Sequence, residues 1–361
     1  MSSSAPNGKD EDEIPPPQRP PSPPPHTTFA ARGVHTPTFS AFRPRDMRIT
    51  SSQPMTHVAW SCDGKKLAAV GIDKIVRVWQ PEKSMEMRSA TLFSGGHVDE
   101  VDYVTWNPTH PELFCSSSQK DRRIVFWDAR QSRPIQQLTL KVSPAQMNYS
   151  PDGRTLLYIS AGHQLFFLNY GKDPKEGEDA KEQWTAVEKD SNFASTGMFN
   201  HTGDGIILTH SSEHTIRILD YPSLQLYENP AAHVGGCVAA TLDRRAAISR
   251  LWRARRHREH IRSERMDLCT DDHRMRCSSN SITSLSFSHD GEFLAIANTG
   301  NYIDICATET TEPVHRVPAL APSPTVAWHP SKYVIAYCGQ TKLREGGPPP
   351  VAVLSLFGPG I

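Results

Sequence analysis

From Met47 onward the chain repeats one phrase: an alternating apolar strand ending in an aromatic residue, then a polar turn, then a second apolar strand. It reads Val58-Ala59-Trp60-Ser61-Cys62-Asp63-Gly64, Val104-Thr105-Trp106-Asn107-Pro108 and Met147-Asn148-Tyr149-Ser150-Pro151-Asp152-Gly153. It returns as Met198-Phe199-Asn200-His201-Thr202-Gly203, Leu285-Ser286-Phe287-Ser288-His289-Asp290-Gly291 and Val326-Ala327-Trp328-His329-Pro330. With Leu242-Asp243 as a weaker seventh copy, the anchors fall at 60, 106, 149, 199, 242, 287 and 328. Their separations stay close to the roughly 40 to 45 residues of a four-stranded blade. Each anchor is followed by an extended segment such as Lys74-Ile75-Val76-Arg77-Val78-Trp79, Arg123-Ile124-Val125-Phe126-Trp127-Asp128 or Thr215-Ile216-Arg217-Ile218-Leu219-Asp220. Period-two alternation and β-branched residues make these strands rather than helices. Four antiparallel strands in each of seven repeats predict an all-β, seven-bladed propeller.

A ring that did not close would expose the unpaired edge of its last blade. The final repeat offers Thr325 to Trp328, Tyr333 to Tyr337 and Val351 to Phe357, so the segment around Phe42 to Ile49 is expected to supply its outer strand. Gly346-Gly347-Pro348-Pro349-Pro350 reads as a loop insertion in that blade. Residues 1–42 contain polar runs and the Pro-rich stretch Pro15 to Pro25 but lack periodic apolar positions. They predict a disordered tail ahead of a propeller domain spanning 43–361. Pro15-Pro16-Pro17 and Pro23-Pro24-Pro25 could present a polyproline II ligand to an SH3 or WW partner, and Ser22-Pro23 a phosphorylation site. A solvated leader is the simpler reading.

Composition narrows the function class. Lys+Arg and Asp+Glu are both 39, so the net charge is zero, which argues against a surface that traps nucleic acid all over. The seven cysteines (Cys62, Cys115, Cys237, Cys269, Cys277, Cys306, Cys338) are odd in number, scattered and never spaced as C-x-x-C. With no charged and apolar signal region at the start, a reducing compartment, cytosol or nucleus, is expected. Nowhere do 18 or more apolar residues run together, so no membrane partner is expected.

The spacing of the phrases, with Gly96-His97 ahead of one strand and Trp127-Asp128 ending another, resembles WD repeats. In that family a His, a Ser or Thr, an Asp and a Trp form a buried hydrogen-bonded chain within a blade. The resemblance implies His97, Ser117, Asp121 and Trp127 for this structural network, with Asp73 and, by substitution, Glu213 at the matching turns of other blades. A His, a Ser and an Asp also invite a hydrolase reading. No nucleophile elbow accompanies them, so no catalytic residue, metal, cofactor or small-molecule substrate is expected. A catalytic site in the central channel would need converging acids or a metal cluster at the strand ends, and the sequence offers none. Trp127-Asp128-Ala129-Arg130 matches the W-D-x-R pattern by which substrate receptors of cullin-type ubiquitin ligases grip their adaptor, which makes Asp128 and Arg130 a possible adaptor contact.

The stretch from Arg244 to Arg276 breaks the pattern. About a third of its residues are arginine, and it contains Cys269-x-x-x-His273-x-x-x-Cys277. It can be read as a basic nucleic-acid or nuclear-import segment or as half a zinc site. It also stands where the fifth repeat needs its second, third and fourth strands, yet it has no period-two alternation and no Gly-Asp turn. Met266-Asp267 back-translates to ATG-GAY, which forces a Trp codon one base on, and the shifted frame permits Gly-Gly-His-Asp-Ala-Ile-Val-Asn-Ile-Phe-Asp. We expect residues from about Arg245 to Cys277 to reflect a shifted reading frame. The same residues are expected to form an irregular excursion, leaving the fifth blade defective.

Several phrases exceed generic WD grammar: His57 to Gly64, Ser284 to Gly291, Tyr302-Ile303-Asp304-Ile305, Pro324 to Pro330 and Leu356-Phe357-Gly358. In this order and spacing they resemble the WD-repeat subunits of the THO complex, the nuclear transcription-export (TREX) assembly, over roughly residues 43 to 358 apart from the Arg-rich block. The resemblance implies a non-enzymatic nuclear scaffold that binds other THO/TREX-type subunits and mRNA export factors, touches RNA only indirectly or weakly, and couples transcription to mRNA packaging and export.

Overall fold

The computed structural model describes residues 37–49, 53–172, 181–187, 192–210, 212, 216–229, 281–308, 313–341 and 349–360, together with the backbone of four short strands within 240–269. No α-helix occurs among the described residues; two single 3-10 turns, Phe39–Ala41 and Met87–Ser89, are the helical elements there. The rest is four-stranded antiparallel sheets. Numbered by repeat, blade 1 spans residues 55–93, blade 2 103–139, blade 3 144–186, blade 4 196–228 and blade 6 282–318. Blade 7 is built from Thr325–Trp328, Ile335–Gln340, Ala352–Gly358 and the incoming Arg43–Ile49.

Six blades reach full size, which corrects the expectation of a seven-bladed ring. At the fifth position only Ala240–Leu242, Leu251–Arg253, His260–Arg262 and Asp267–Cys269 pair, each three residues long. The sequence supplies the reason: an arginine-rich stretch without alternating apolar residues cannot cover a neighbouring blade, because burying unpaired guanidinium groups costs several kcal/mol each. Three of these strands lie inside 245–277, so at those positions the backbone pairs rather than wandering as the expected excursion. The rest of that excursion, Glu213, residues 1–36 and the Cys269, His273 and Cys277 side chains lie outside the described residues.

Each blade places its first strand innermost, and neighbouring innermost strands touch from blade 1 to blade 4 and from the fifth position through blades 6 and 7 back to blade 1. The second strands Leu67–Gly71, Thr155–Ser160, Gly205–Thr209 and Phe293–Asn298 are wholly buried. Both faces of a blade therefore pack against neighbours, and the core is divided into layers between blades. Met55, Trp79, Ala336 and Leu354 fill the layer between blades 7 and 1. Val76, Phe93, Phe114 and Trp127 fill that between blades 1 and 2.

The repeated phrase now has a physical meaning. In two copies its terminal aromatic ties blade to blade: Trp60 Nε1 donates to Ala327 O at 3.1 Å, and Trp106 Nε1 to Ala59 O at 3.0 Å. Its polar turn closes on itself. Ser61 Oγ donates to Asp63 Oδ1 at 2.6 Å and accepts from the Lys66 amide at 3.0 Å. The same Ser–Asp pair recurs at Ser150–Asp152 and Ser288–Asp290. Gly64 takes φ +74° there, a left-handed backbone that favours glycine, and a Cβ on it would lie 2.3 Å from the His329 ring of blade 7.

Closure of the ring joins the chain's two ends. All seven residues of Arg43–Ile49 pair antiparallel to Ala352–Gly358, from Arg43 opposite Gly358 to Ile49 opposite Ala352. Just before this strand, Phe39 is only 3% exposed and packs with Phe293, Trp328 and Tyr337. Phe39, inside the 1–42 span expected to form the tail, is thus packed into the core from the 3-10 turn Phe39–Ala41.

Candidate functional site

Blade 2 gathers most of the residues that look like chemistry. His97 enters from the loop before the first strand, Asp121 sits in the turn between the second and third strands, and Trp127 lies near the end of the third. His97 Nδ1 stands 3.1 Å from Asp121 Oδ2, and its Nε2 lies 2.8 Å from Ser116 Oγ. Trp127 Nε1 donates to the same hydroxyl at 2.8 Å. The Val98 and Arg123 amides donate to the two Asp121 oxygens at 3.1 and 2.9 Å. One carboxylate thus ties the loop, the turn and two strands together. Gly96 lets this chain close, since a Cβ there would stand 2.5 Å from the Trp127 ring.

The serine of this chain is Ser116 and not Ser117, a correction that follows from strand parity. Phe114 lies opposite Trp127 and Ser116 opposite Val125, so side chains 114, 116, 125 and 127 share one face of the blade. Ser117 points the other way, and its buried Oγ has no hydrogen-bond partner. Period-two counting back from Trp127 would have found Ser116 once the register was known.

Burial by itself pushes the Asp121 carboxyl up. The hydrogen bond and charge of His97, with the two backbone amides, outweigh it and hold the group below the usual carboxylate range. The side chains of His97 and Asp121 are 0% and 1% exposed, so no substrate can reach them. This arrangement can hold a blade together; it cannot perform acyl transfer.

Blade 1 solves the same turn differently. Asp73 accepts two hydrogen bonds from Arg77, 3.0 Å from Nη1 and 2.6 Å from Nη2, in a pair whose side chains are 13% and 5% exposed. At the end of the third strand of blade 2, Asp128 clamps Arg130: Nη2 to Oδ2 spans 2.6 Å and Nε to Oδ1 2.9 Å. The bond from Arg130 is the main reason the Asp128 carboxyl titrates low. The Arg130 side chain is 71% exposed and displays its outer face to solvent.

The contact between the first strands of blades 1 and 2 contributes a feature that the sequence did not single out. The rings of His57 of blade 1 and Tyr103 of blade 2 lie with centroids 3.9 Å apart at a tilt of 30°, and burial lowers the His57 pKa to about 4. No group of three or more His, Cys, Asp or Glu side chains suited to a metal occurs among the described residues.

Comparison with known proteins places this architecture. The family described as WD domain, G-beta repeat matches residues 47–80, and that of the anaphase-promoting complex subunit 4 WD40 domain matches residues 244–334. The chain is similar to THO complex subunit 3 of Arabidopsis thaliana, 28% identical over 79% of this chain and 86% of that protein. A shorter likeness, 31% identical over 24% of this chain and 19% of the relative, links it to the ribosome biogenesis protein WDR12 homolog of Dictyostelium discoideum. Among solved structures, the β-propeller domain of Cps50 (Swd1) from Myceliophteria thermophila superposes with a TM-score of 0.68 at 14% identity, covering 87% of this chain and 99% of that one, and so shares the fold.

Proposed function

Because this chain belongs to the WD-repeat β-propeller family, we propose that it is a non-enzymatic nuclear scaffold that binds THO/TREX-type subunits and mRNA export factors, helping couple transcription to mRNA packaging and export. The observation that carries this reading is the length of the likeness to THO complex subunit 3, which runs through 79% of the chain rather than a single repeat. The internal geometry supports a scaffold. The residues that imitate a hydrolase triad are sealed inside blade 2, and the ionic pairs of Asp73 with Arg77 and Asp128 with Arg130 are local to their own turns. Function then rests with the outer faces of the ring.

The exposed Arg130 beside Asp128 supports a second reading, docking to a cullin adaptor. Affinity purification of the tagged chain from nuclear extract separates the two. Recovery of THO-type subunits and export factors supports the scaffold. Recovery of a cullin and its adaptor, lost on Arg130→Ala, would replace it.

A further inference from the structure

Two seams of the propeller are fastened by the same device, and only one of the two can titrate. The residue that follows the anchor aromatic is Asn107 in blade 2 and His329 in blade 7. Asn107 Nδ2 donates to Gly153 O of blade 3 at 3.1 Å, while its Oδ1 accepts from the Thr109 amide at 2.9 Å. His329 Nε2 lies 3.0 Å from Gly64 O of blade 1, and its Nδ1 accepts from the Ser331 amide at 3.1 Å. Each side chain thus takes the amide two residues on and donates to the glycine carbonyl in the polar turn of the next blade. Both glycines allow the close approach, since a Cβ would stand 2.5 Å from Asn107 Oδ1 and 2.3 Å from the His329 imidazole.

The partners fix the tautomer of His329. A backbone carbonyl can only accept and a backbone amide can only donate, so Nε2 carries the proton and Nδ1 carries none. A second proton, on Nδ1, would set a donor against the Ser331 N–H, and the Ser331 hydroxyl at 3.4 Å is a more distant substitute. His329 is 4% exposed, which leaves water little access to a charged imidazole, and Trp60 packs on it with ring centroids 4.8 Å apart at 67°. Burial is the main cause that holds the His329 pKa below its ordinary value. The bond to Gly64 and the charge of Glu82 oppose this, while Lys332 on its own turn and His289 of blade 6 reinforce it. Glu82 is itself bound by Lys332. In the turn that carries Gly64, Asp63 and Lys65 pair at 3.9 Å and Lys66 reaches Glu112 of blade 2 at 2.6 Å.

We propose that His329 is an acid-sensitive clasp for the seam between the last blade and the first, closed by the neutral imidazole and released when Nδ1 takes up a proton. This is the seam at which the propeller closes, because blade 7 holds both the incoming Arg43–Ile49 and the final Ala352–Gly358, and blade 1 packs against it. The matching seam between blades 2 and 3 has a carboxamide in place of the imidazole, so acid does not release it by this route. The sign follows from the lowered value in the folded chain. Between that value and 6.5 the open seam binds a proton that the closed seam excludes, so acid favours opening.

The test is hydrogen exchange of the full-length chain, read by mass spectrometry on peptides covering the turns Ser61 to Lys66 and Ser150 to Thr155 over a series of pH values. Each turn carries the same Ser–Asp pair, so the ratio of their opening constants, corrected for intrinsic exchange, cancels the titration of that carboxylate. It also cancels groups that act on the whole fold, His57 included. The ratio should rise severalfold between about pH 7.5 and about pH 5.5, with about tenfold as the ceiling for an imidazole that takes up its proton only when the seam is open. His329→Asn, which copies the side chain at 107, should keep the seam closed at neutral pH and abolish the rise. Slow exchange at the imidazole C2 position, which needs no variant, should give His329 a titration midpoint below 6.5. A ratio in the parent chain that does not change with pH, a rise that survives in His329→Asn, or a His329 that titrates like a free imidazole would overturn the proposal.

Discussion

Phe39 and Phe293 meet edge to face, ring centroids 5.0 Å apart at 88°, and so pin the residues before the closing strand onto blade 6. Phe42 adds a second edge contact at 5.7 Å, and Tyr333 a third at 6.3 Å. Removing residues 1–36 should leave the unfolding midpoint where it is, whereas removing 1–42 should lower it. Phe39→Ala should cost about 3 to 5 kcal/mol, as for other buried phenylalanines. Equal midpoints for the two truncations, read by circular dichroism, would mean that Phe39 contributes nothing to closure.

The chain His97–Ser116–Trp127 anchored on Asp121 predicts an asymmetry between adjacent serines. Asp121→Ala and Ser116→Ala should each lower stability by roughly 1 to 3 kcal/mol, because they strand buried partners. Ser117→Ala should be neutral or stabilising, since its buried hydroxyl has no partner to lose. Thermal melts of the three variants decide the matter, and equal losses at 116 and 117 would refute the assigned network.

Acid should act on the same carboxylate. The Asp121 pKa is lowered in the folded state, so its contribution is present above the ordinary carboxylate range and is lost as pH falls through the folded value. Asp121→Asn should therefore lose less stability relative to the parent at acid pH than at neutral pH. A constant difference across the acid range would argue against an ionised Asp121.

His57 imposes a separate pH dependence at milder acidity. Burial holds its pKa down near 4, whereas the unfolded chain protonates this imidazole near 6.5. Between those values the unfolded state binds a proton that the folded state excludes, so stability should fall as pH drops from about 6.5 to about 4. His57→Phe keeps an aromatic face for Tyr103 and should flatten that part of the curve. Chemical denaturation at a series of pH values is the measurement; an unchanged slope would assign the effect elsewhere.

The fifth repeat makes a prediction about the gene. Transcript sequencing across the codons for Leu242 to Ser281 should show a frame in which the alternating strand phrase is restored. A transcript that encodes the arginine-rich stretch as written would return that stretch to the protein as a genuine basic segment.

Much of the architecture was legible in the chain because a propeller is local. Each blade forms from consecutive residues, so period-two strands, Ser–Asp–Gly turns and aromatic anchors spaced by one repeat identify blades without knowledge of their neighbours. The closing strand was legible too, from the final repeat's missing edge. What the sequence could not decide is everything set by register and by contact between distant segments. Ser116 and Ser117 are adjacent serines, and only the pairing of Phe114 with Trp127 tells which faces the network. Phe39 belongs to a polar, Pro-rich neighbourhood, and its burial depends on a pocket built from residues 250 or more positions away. The count of full blades was likewise a tertiary outcome. A weak anchor at Leu242 marks where a blade should stand, but strands there extend only three residues, because covering the neighbouring layers needs apolar side chains on both faces of the sheet.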